Sequence, residues 1–465
     1  MTLVRIALDR LSRRIVASAA SLLLLGCAAL PAFAQTTEFM LANGMKVIVK
    51  EDHRAPTVAH MVWYRAGSID EVNGKTGVAH VLEHMMFKGT RQFGPGEFSK
   101  RIAALGGREN AFTSRDYTGY YQQLHKSALA EAMTLESDRM NNLVLSKDDF
   151  DKEIKVVMEE RRWRTEDRAQ SLVMEQLNAA AFIASPYRAP VVGWMNDLEA
   201  MTVEDAREWY ERWYAPNNAL LIVAGDVQPA EVLALAERTY GRLPAKPLLA
   251  RKPQIEPPQR GIRRLSVKAP ADNPMVVLGF QAPVLRDVER DADPFALEVL
   301  SAMLALNDTG RFTRRLVREL RIANAAEAGY ELISRGPGLF LLMAVPAEGK
   351  TTDDTERAMR AEIARIAADG VPEDELRRIK TQYVAAETYK LDSIFAQAME
   401  SAQLEITGFA QRDGPRMLER IRAVTSAQIQ DVARRYFGDD TLTVVTLLPQ
   451  PVTEKRAPPP AGLRH

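Results

Sequence analysis

Val78-Ala79-His80-Val81-Leu82-Glu83-His84-Met85-Met86 is the stretch from which the rest of this sequence is read. Val78, Val81, Leu82, Met85 and Met86 recur at helical spacing and Gly89 closes the run, which predicts a helix over 76–87. His80 and His84 are then one turn apart on one face, where a single metal can bridge both imidazoles. Glu83 lies beside that face, placed to take a proton from an attacking water without being a ligand itself. This order is the inverse of the more familiar zincin motif. The competing reading is a solvated helical face with a Glu–His pair. It fits poorly with the apolar neighbours, because polar groups buried among them need a compensating partner.

A catalytic zinc of this type takes a third protein ligand and keeps a position open for water. The helix predicted over 147–164 offers Glu153, Glu159 and Glu160. Glu153 and Glu160 are seven residues apart, about two turns, and share a face that Glu159 leaves. Spacing alone does not choose the ligand.

Working outward, Phe39-Met40-Leu41 and Met45 to Val49 flank Asn43-Gly44, a hairpin signal. Further strands are predicted over 57–65 and 116–124, and a further helix over 128–143. This is a mixed composition in which hairpins point to antiparallel sheets. Residues 244–260, PAKPLLARKPQIEPPQR, carry five prolines and no periodicity that could bury a face, and read as a linker. Trp213 to Val223 resembles Arg435 to Val445: a helix ending near Tyr, a polar turn, then an apolar strand. Two related halves follow, 35–244 and 261–449, joined by 245–260 and ending in a Pro-rich tail over 450–465.

The first 34 residues read as a secretory signal: Arg5, Arg10, Arg13 and Arg14, an apolar run from Ile15 to Leu30, then Ala32-Phe33-Ala34, with cleavage expected after Ala34. Lipoprotein anchoring at Cys27 and a twin-arginine export route are weaker variants. Cys27 is the single cysteine, so a mature chain would hold neither a disulfide nor a thiol nucleophile. No later apolar run is long enough for a membrane span, which points to a periplasmic or secreted protein. The 61 basic and 61 acidic residues cancel, which argues against nucleic acid as a partner.

With these residues in view, the chain resembles the M16 peptidases, the pitrilysin, insulin-degrading and mitochondrial-processing group, and within it the bacterial short-chain M16B branch. The resemblance is carried by His80 to Thr90 (HVLEHMMFKGT), Gly106 to Tyr120 (GGRENAFTSRDYTGY), Val156 to Glu160 (VVMEE) and Ser185 to Asp226. It implies an α+β fold of two homologous halves, antiparallel sheets flanked by helices, in the LuxS/MPP-like metallohydrolase clamshell. It implies one Zn2+ per chain held by His80, His84 and Glu160, Glu83 as general base, and Glu153 as a second carboxylate supporting catalysis. Manganese or cobalt could fill the same His2Glu set in vitro. Asn110, Ala111 and Phe112 resemble the edge strand to which an extended peptide substrate adds.

One departure is informative. Family members that work alone carry, in the second half, an Arg and, seven residues later, a Tyr that hold the substrate. Here the matching stretch is Leu316 to Ala325. One register puts Val317 and Asn324 at those places, another Arg318 and Ala325, and neither restores the pair. A homologous subunit carrying the pair is therefore the expected partner, in a heterodimer, with a homodimer as the alternative. Nearby Arg315, Arg318 or Tyr330 could otherwise substitute. A non-proteolytic scaffold and a peptide-binding module are the readings from other classes.

Overall fold

The computed structural model describes residues 36–451 apart from 249 and 253. The expected signal, Cys27 and all of the tail beyond Pro451 lie outside the described residues. The chain enters through β1 (Thr36–Met40) and β2 (Lys46–Glu51), an antiparallel hairpin. Gly44 has a left-handed backbone (φ 84°), as a tight turn requires, and the Asn43 amide donates to the carbonyls of Tyr240 and Leu243 at 2.8 and 2.9 Å. Then come β3 (Thr57–Tyr64), α1 (Val78–Met85), α2 (Glu97–Ala104), β4 (Arg108–Thr113) and β5 (Thr118–His125). The helices α3 (Leu129–Asn142), α4 (Lys147–Arg161), α5 (Ala169–Ala181), α6 (Met195–Ala200) and α7 (Val203–Trp213) lead to β6 (Ala219–Gly225) and α8 (Pro229–Arg238). The described residues of 244–262 contain no helix or strand.

The second part repeats the plan with β7 (Arg263–Pro270), β8 (Met275–Ala282), α9 (Asp293–Ala305), β9 (Ala323–Tyr330) and β10 (Gly338–Pro346). Helices α10 (Thr352–Asp369), α11 (Glu373–Lys390), α12 (Ile394–Thr407), α13 (Asp413–Ala423) and α14 (Ser426–Arg435) precede β11 (Leu442–Gln450). The sheet orders are β1-β2-β6-β3-β5-β4 and β7-β11-β8-β10-β9.

Neither sheet is purely antiparallel, as the hairpin signals had suggested. β6 runs parallel to β2, and β11 parallel to β7. Each arrives by a long helical crossover and inserts beside an earlier strand, pairing antiparallel with β3 or β8 on its other side. Turn chemistry fixes only strands adjacent in sequence.

The repeat that begins with α7 and α14 is also one residue out of the register read from the sequence. Thr202 and Thr425 each close a capping box, and the strands that follow begin at Ala219 and Leu442. Trp213 therefore corresponds to Tyr436, not to Arg435. Shared tyrosines had set the reading; the caps set the structure.

The two parts exchange helices. One face of the first sheet packs on its own helices, but the other (Ile48, Met61, Trp63, Leu220, Ile222) packs on Ala398, Ala402 and Ile406 of α12. Val173 and Leu177 of α5 in turn pack on Met275, Val277, Val445 and Leu447 of the second sheet. With both faces covered, β3 and β6 lose the apolar–polar alternation of a half-exposed strand.

Candidate metal centre

Helix α1 is held at its start by close backbone packing. Gly77 has φ 88°, and a Cβ there would lie 2.5 Å from the Val192 carbonyl oxygen. The buried Glu71 carboxylate accepts from the backbone N–H of Gly77 and Ala79 at 2.8 and 2.9 Å, supplying the cap that Gly77 lacks. Thr76 donates through Oγ1 to Asp197 at 2.6 Å. All eight residues of α1 are buried, and the His80 and His84 rings lie 4.7 Å apart, centroid to centroid.

Helix α4 crosses α1 and brings Glu153 and Glu160 to it, both buried, while Glu159 turns outward to Arg162. Glu160 Oε2 is 3.2 Å from His84 Nε2 and 3.8 Å from His80 Nε2. The three ligand-type atoms lie within 4.8 Å of one another, the one group of this kind among the described residues. Atoms each ~2.0–2.1 Å from a tetrahedral zinc sit roughly 3.3 Å apart, so this spacing fits one ion. Glu153 Oε1 lies 3.0 Å from His84 Nδ1. An ionised carboxylate only accepts, so Nδ1 carries the proton and Nε2 is the nitrogen turned toward Glu160.

The electrostatics fit a cation. Burial works against charging His84, but Glu153 and Glu160 raise its pKa to about 9. Burial likewise opposes ionising Glu160, but His84, with the charges of His80 and Arg164, brings it down to about 2. Glu153 is also held below the usual carboxylate range, by His84 and Lys88 against burial. Burial raises Glu83, and the hydroxyl of Thr113, donating to Oε2 at 2.5 Å, opposes that rise. A buried cluster this rich in acceptors calls for positive charge.

A cavity of about 420 Å³ opens on the cluster, lined by His80, Glu83, His84, Glu160 and, from β4, Ala111, Phe112 and Thr113. β4 is the outer strand of the first sheet, so its free edge runs past the cluster. Asn110, the third residue expected there, is not in the cavity lining; its side chain accepts from the backbone N–H of Ala111 at 2.8 Å. Three residues escaped the sequence reading: Thr113 on Glu83, Lys88 at 2.5 Å from Glu153, and Arg164 at 2.7 Å from Glu160. Arg164 stands four residues after Glu160, a spacing that could have found it, whereas Lys88 lies past the end of α1 and reaches Glu153 of α4, which no local spacing records.

Among the described residues, the second part presents no such cluster. α9 packs on α11 as α1 packs on α4, but there the half-buried Glu298 meets Tyr383 and no histidine. Arg315 is held at 3.0 Å by Glu362, the Tyr330 hydroxyl donates to the Pro283 carbonyl, and Arg315, Arg318 and Tyr330 are all absent from the lining of the cavity at the cluster.

Residues 46–193 match the family model described as insulinase (peptidase family M16), and residues 200–383 the one described as peptidase M16 inactive domain. A protein named zinc protease PqqE from Helicobacter pylori is 28% identical over 416 residues, covering 88% of this chain and 92% of its own. A mitochondrial-processing peptidase subunit beta from Blastocladiella emersonii is 26% identical over 417 residues, covering 88% of each. The crystal structure of a protease from Helicobacter pylori superposes with a TM-score of 0.84 at 27% identity, covering 90% of this chain and 100% of that one.

Proposed function

We propose that this chain, which belongs to peptidase family M16 and is a zinc metalloendopeptidase, cleaves peptides or unfolded polypeptides in a closed chamber as the metal-bearing subunit of a pair. The observation that carries the reading is the buried convergence of His80, His84 and Glu160, with Glu83 on the same helix and the same cavity wall.

His80, His84 and Glu160 would hold the zinc, which would supply Lewis acidity toward the scissile carbonyl and the attacking water. Everything else falls to the chain. Glu83, its Oε2 fixed by Thr113, takes the water proton and returns it to the leaving amine. Glu153 holds the His84 ring in its orientation and tautomer. The free edge of β4, through Ala111 and Phe112, aligns an extended substrate by main-chain hydrogen bonds.

The partner follows from the second part. The family stretch has a form like LREKRGLAYS, and with its Leu-Ala set on Ile322-Ala323 its glycine falls on Arg321, whose backbone here is left-handed, φ 48°. This supports the register that sets Val317 and Asn324 where an Arg and a Tyr hold the substrate. A homologous chain carrying that pair would complete the enzyme. Periplasmic or secreted placement rests on the N-terminal sequence; among the described residues no helix is long and apolar enough to cross a membrane.

The test is metal analysis with peptide hydrolysis, on the chain alone and mixed with a homologous subunit bearing the pair. Wild type should hold one zinc, Glu83→Gln should keep it, and hydrolysis should vanish with that substitution. A wild-type chain without zinc overturns the metal reading, and full activity from the isolated chain overturns the required partner.

A further inference from the structure

The chain leaves α4 through Arg161-Arg162-Trp163-Arg164, and the last residue of α4 with the π-helical turn Arg162–Glu166 sends three guanidinium groups to three different carboxylates. Arg161 binds Glu175 of α5 at 2.9 and 3.1 Å. Arg162 turns away to Glu159 at 3.2 Å. Arg164 alone faces the cluster, its Nη1 lying 2.7 Å from Glu160 Oε1. It is also the only lysine or arginine in the lining of the cavity that opens on the cluster.

Glu160 thus divides its two oxygens: Oε2 faces both imidazoles and Oε1 faces Arg164. Glu153 divides its own in the same way, with Oε1 to His84 and Oε2 to Lys88. In each case one oxygen serves the site and a cation engages the other. A carboxylate with both oxygens free can take a metal by either or both, and two-oxygen ligation fills the place a catalytic zinc keeps open.

Resting on the zinc reading above, we infer that Arg164 is a positioning residue that restrains Glu160 Oε1, so that the ligand bond forms through Oε2 alone and one coordination position stays open. The Arg164 side chain is 47% exposed but the Glu160 side chain only 5%, so Oε1 has little water to take in exchange for the guanidinium, which separates this contact from an i,i+4 pair exposed at both ends.

The experiment uses the full chain with Arg164→Ala, Arg164→Lys and, as a control, Arg162→Ala. Zinc affinity is read by competition with a chromophoric chelator, and coordination number by the visible spectrum of the Co2+-substituted protein, whose bands weaken as ligands are added. Arg164→Ala should lose affinity by about 10–100-fold, the usual cost of removing an outer partner of a ligand, and should weaken the Co2+ bands. Arg164→Lys should recover most of both, and Arg162→Ala should match wild type. Affinity within twofold of wild type and an unchanged Co2+ spectrum in Arg164→Ala would overturn the inference while leaving the zinc site standing. Should Arg164→Ala fail to fold, Arg164→Lys decides alone against Arg164→Gln, with equal spectra counting against the inference. A wild-type chain that binds no zinc, or a His80→Ala chain that binds it equally well, defeats the underlying reading instead.

Discussion

Replacing Glu153 by glutamine separates two roles a second carboxylate can have beside a metal. Its Oε1 lies 3.0 Å from His84 Nδ1 and its Oε2 2.5 Å from Lys88 Nζ. Glutamine keeps the shape and an acceptor oxygen but loses the charge. A hydrogen bond to a charged group contributes roughly 1.5–3 kcal/mol and a neutral one about 0.5–1.5, so the exchange weakens the support of His84 by about 1–1.5 kcal/mol. Lys88, with a side chain 29% exposed, can turn to water and adds little to that cost. At ~1.4 kcal/mol per decade, zinc affinity of Glu153→Gln should fall about tenfold. Glu153→Ala leaves the buried Nδ1 without its acceptor and should approach a hundredfold, near the upper end for outer partners. Chelator competition at fixed pH and salt, run beside kcat/KM on a peptide, measures both quantities. Were Glu153 acting on the substrate directly, kcat would drop while zinc affinity held. That result, or an affinity within twofold of wild type, would refute the argument.

Three further outcomes are expected. Gly119→Ala places a Cβ 2.6 Å from Cε2 of Phe112, so the ring beside the cavity must shift; kcat/KM should fall with zinc affinity unchanged, and unaltered kinetics would remove Phe112 from the substrate path. Leu177→Ala in α5 empties a fully buried site on the second sheet at a cost of about 2–5 kcal/mol. Because α5 and α12 cross between the sheets, calorimetry should show one lowered transition, and separate melting of two parts would contradict the exchange. Glu298 is raised by burial to about 7 from 4.5, so its favourable protonated form is complete below about pH 4.5 and its contribution is lost as pH rises through 7. Glu298→Gln should remove roughly 3 kcal/mol of that decline, leaving the variant more stable than wild type at pH 8; denaturant titration at pH 5 and pH 8 checks the sign.

The metal cluster was largely legible because its logic is local. His80, Glu83 and His84 share one helical turn, and the periodicity of Val78, Val81, Leu82 and Met85 shows that turn to be buried. Glu160 was not legible from spacing, since Glu153 shares its face; only the crossing of α4 over α1 assigns one carboxylate to the imidazole Nε2 atoms and the other to Nδ1. The parallel pairings of β6 and β11 were hidden for the same reason. They depend on where a long crossover returns, and no turn residue records it. The exchange of α5 and α12 left a trace in the unbroken apolar runs of β3 and β6, which indicate burial on both faces without naming the covering element.

The internal repeat explains why the duplication is so faint and why one metal site per chain is expected. In the first part, Val47 and Val49 of β2 pair with Leu221 and Val223 of β6 and lie fully buried in one core with Val232 and Ala236 of α8. The corresponding positions of β7 are Arg264 and Ser266, opposite Val444 and Thr446, and both are exposed, for no helix follows β11 among the described residues. Equivalent backbone thus carries apolar side chains where a helix covers it and polar ones where water does. The same divergence operates at the crossing helices. Where α1 and α4 present two imidazoles and two carboxylates, α9 and α11 present Glu298 and Tyr383, a half-buried acid facing a phenol, with no imidazole to hold a transition metal. The fold supplied two equivalent seats, and side-chain chemistry gave one of them a set of metal-ligating groups.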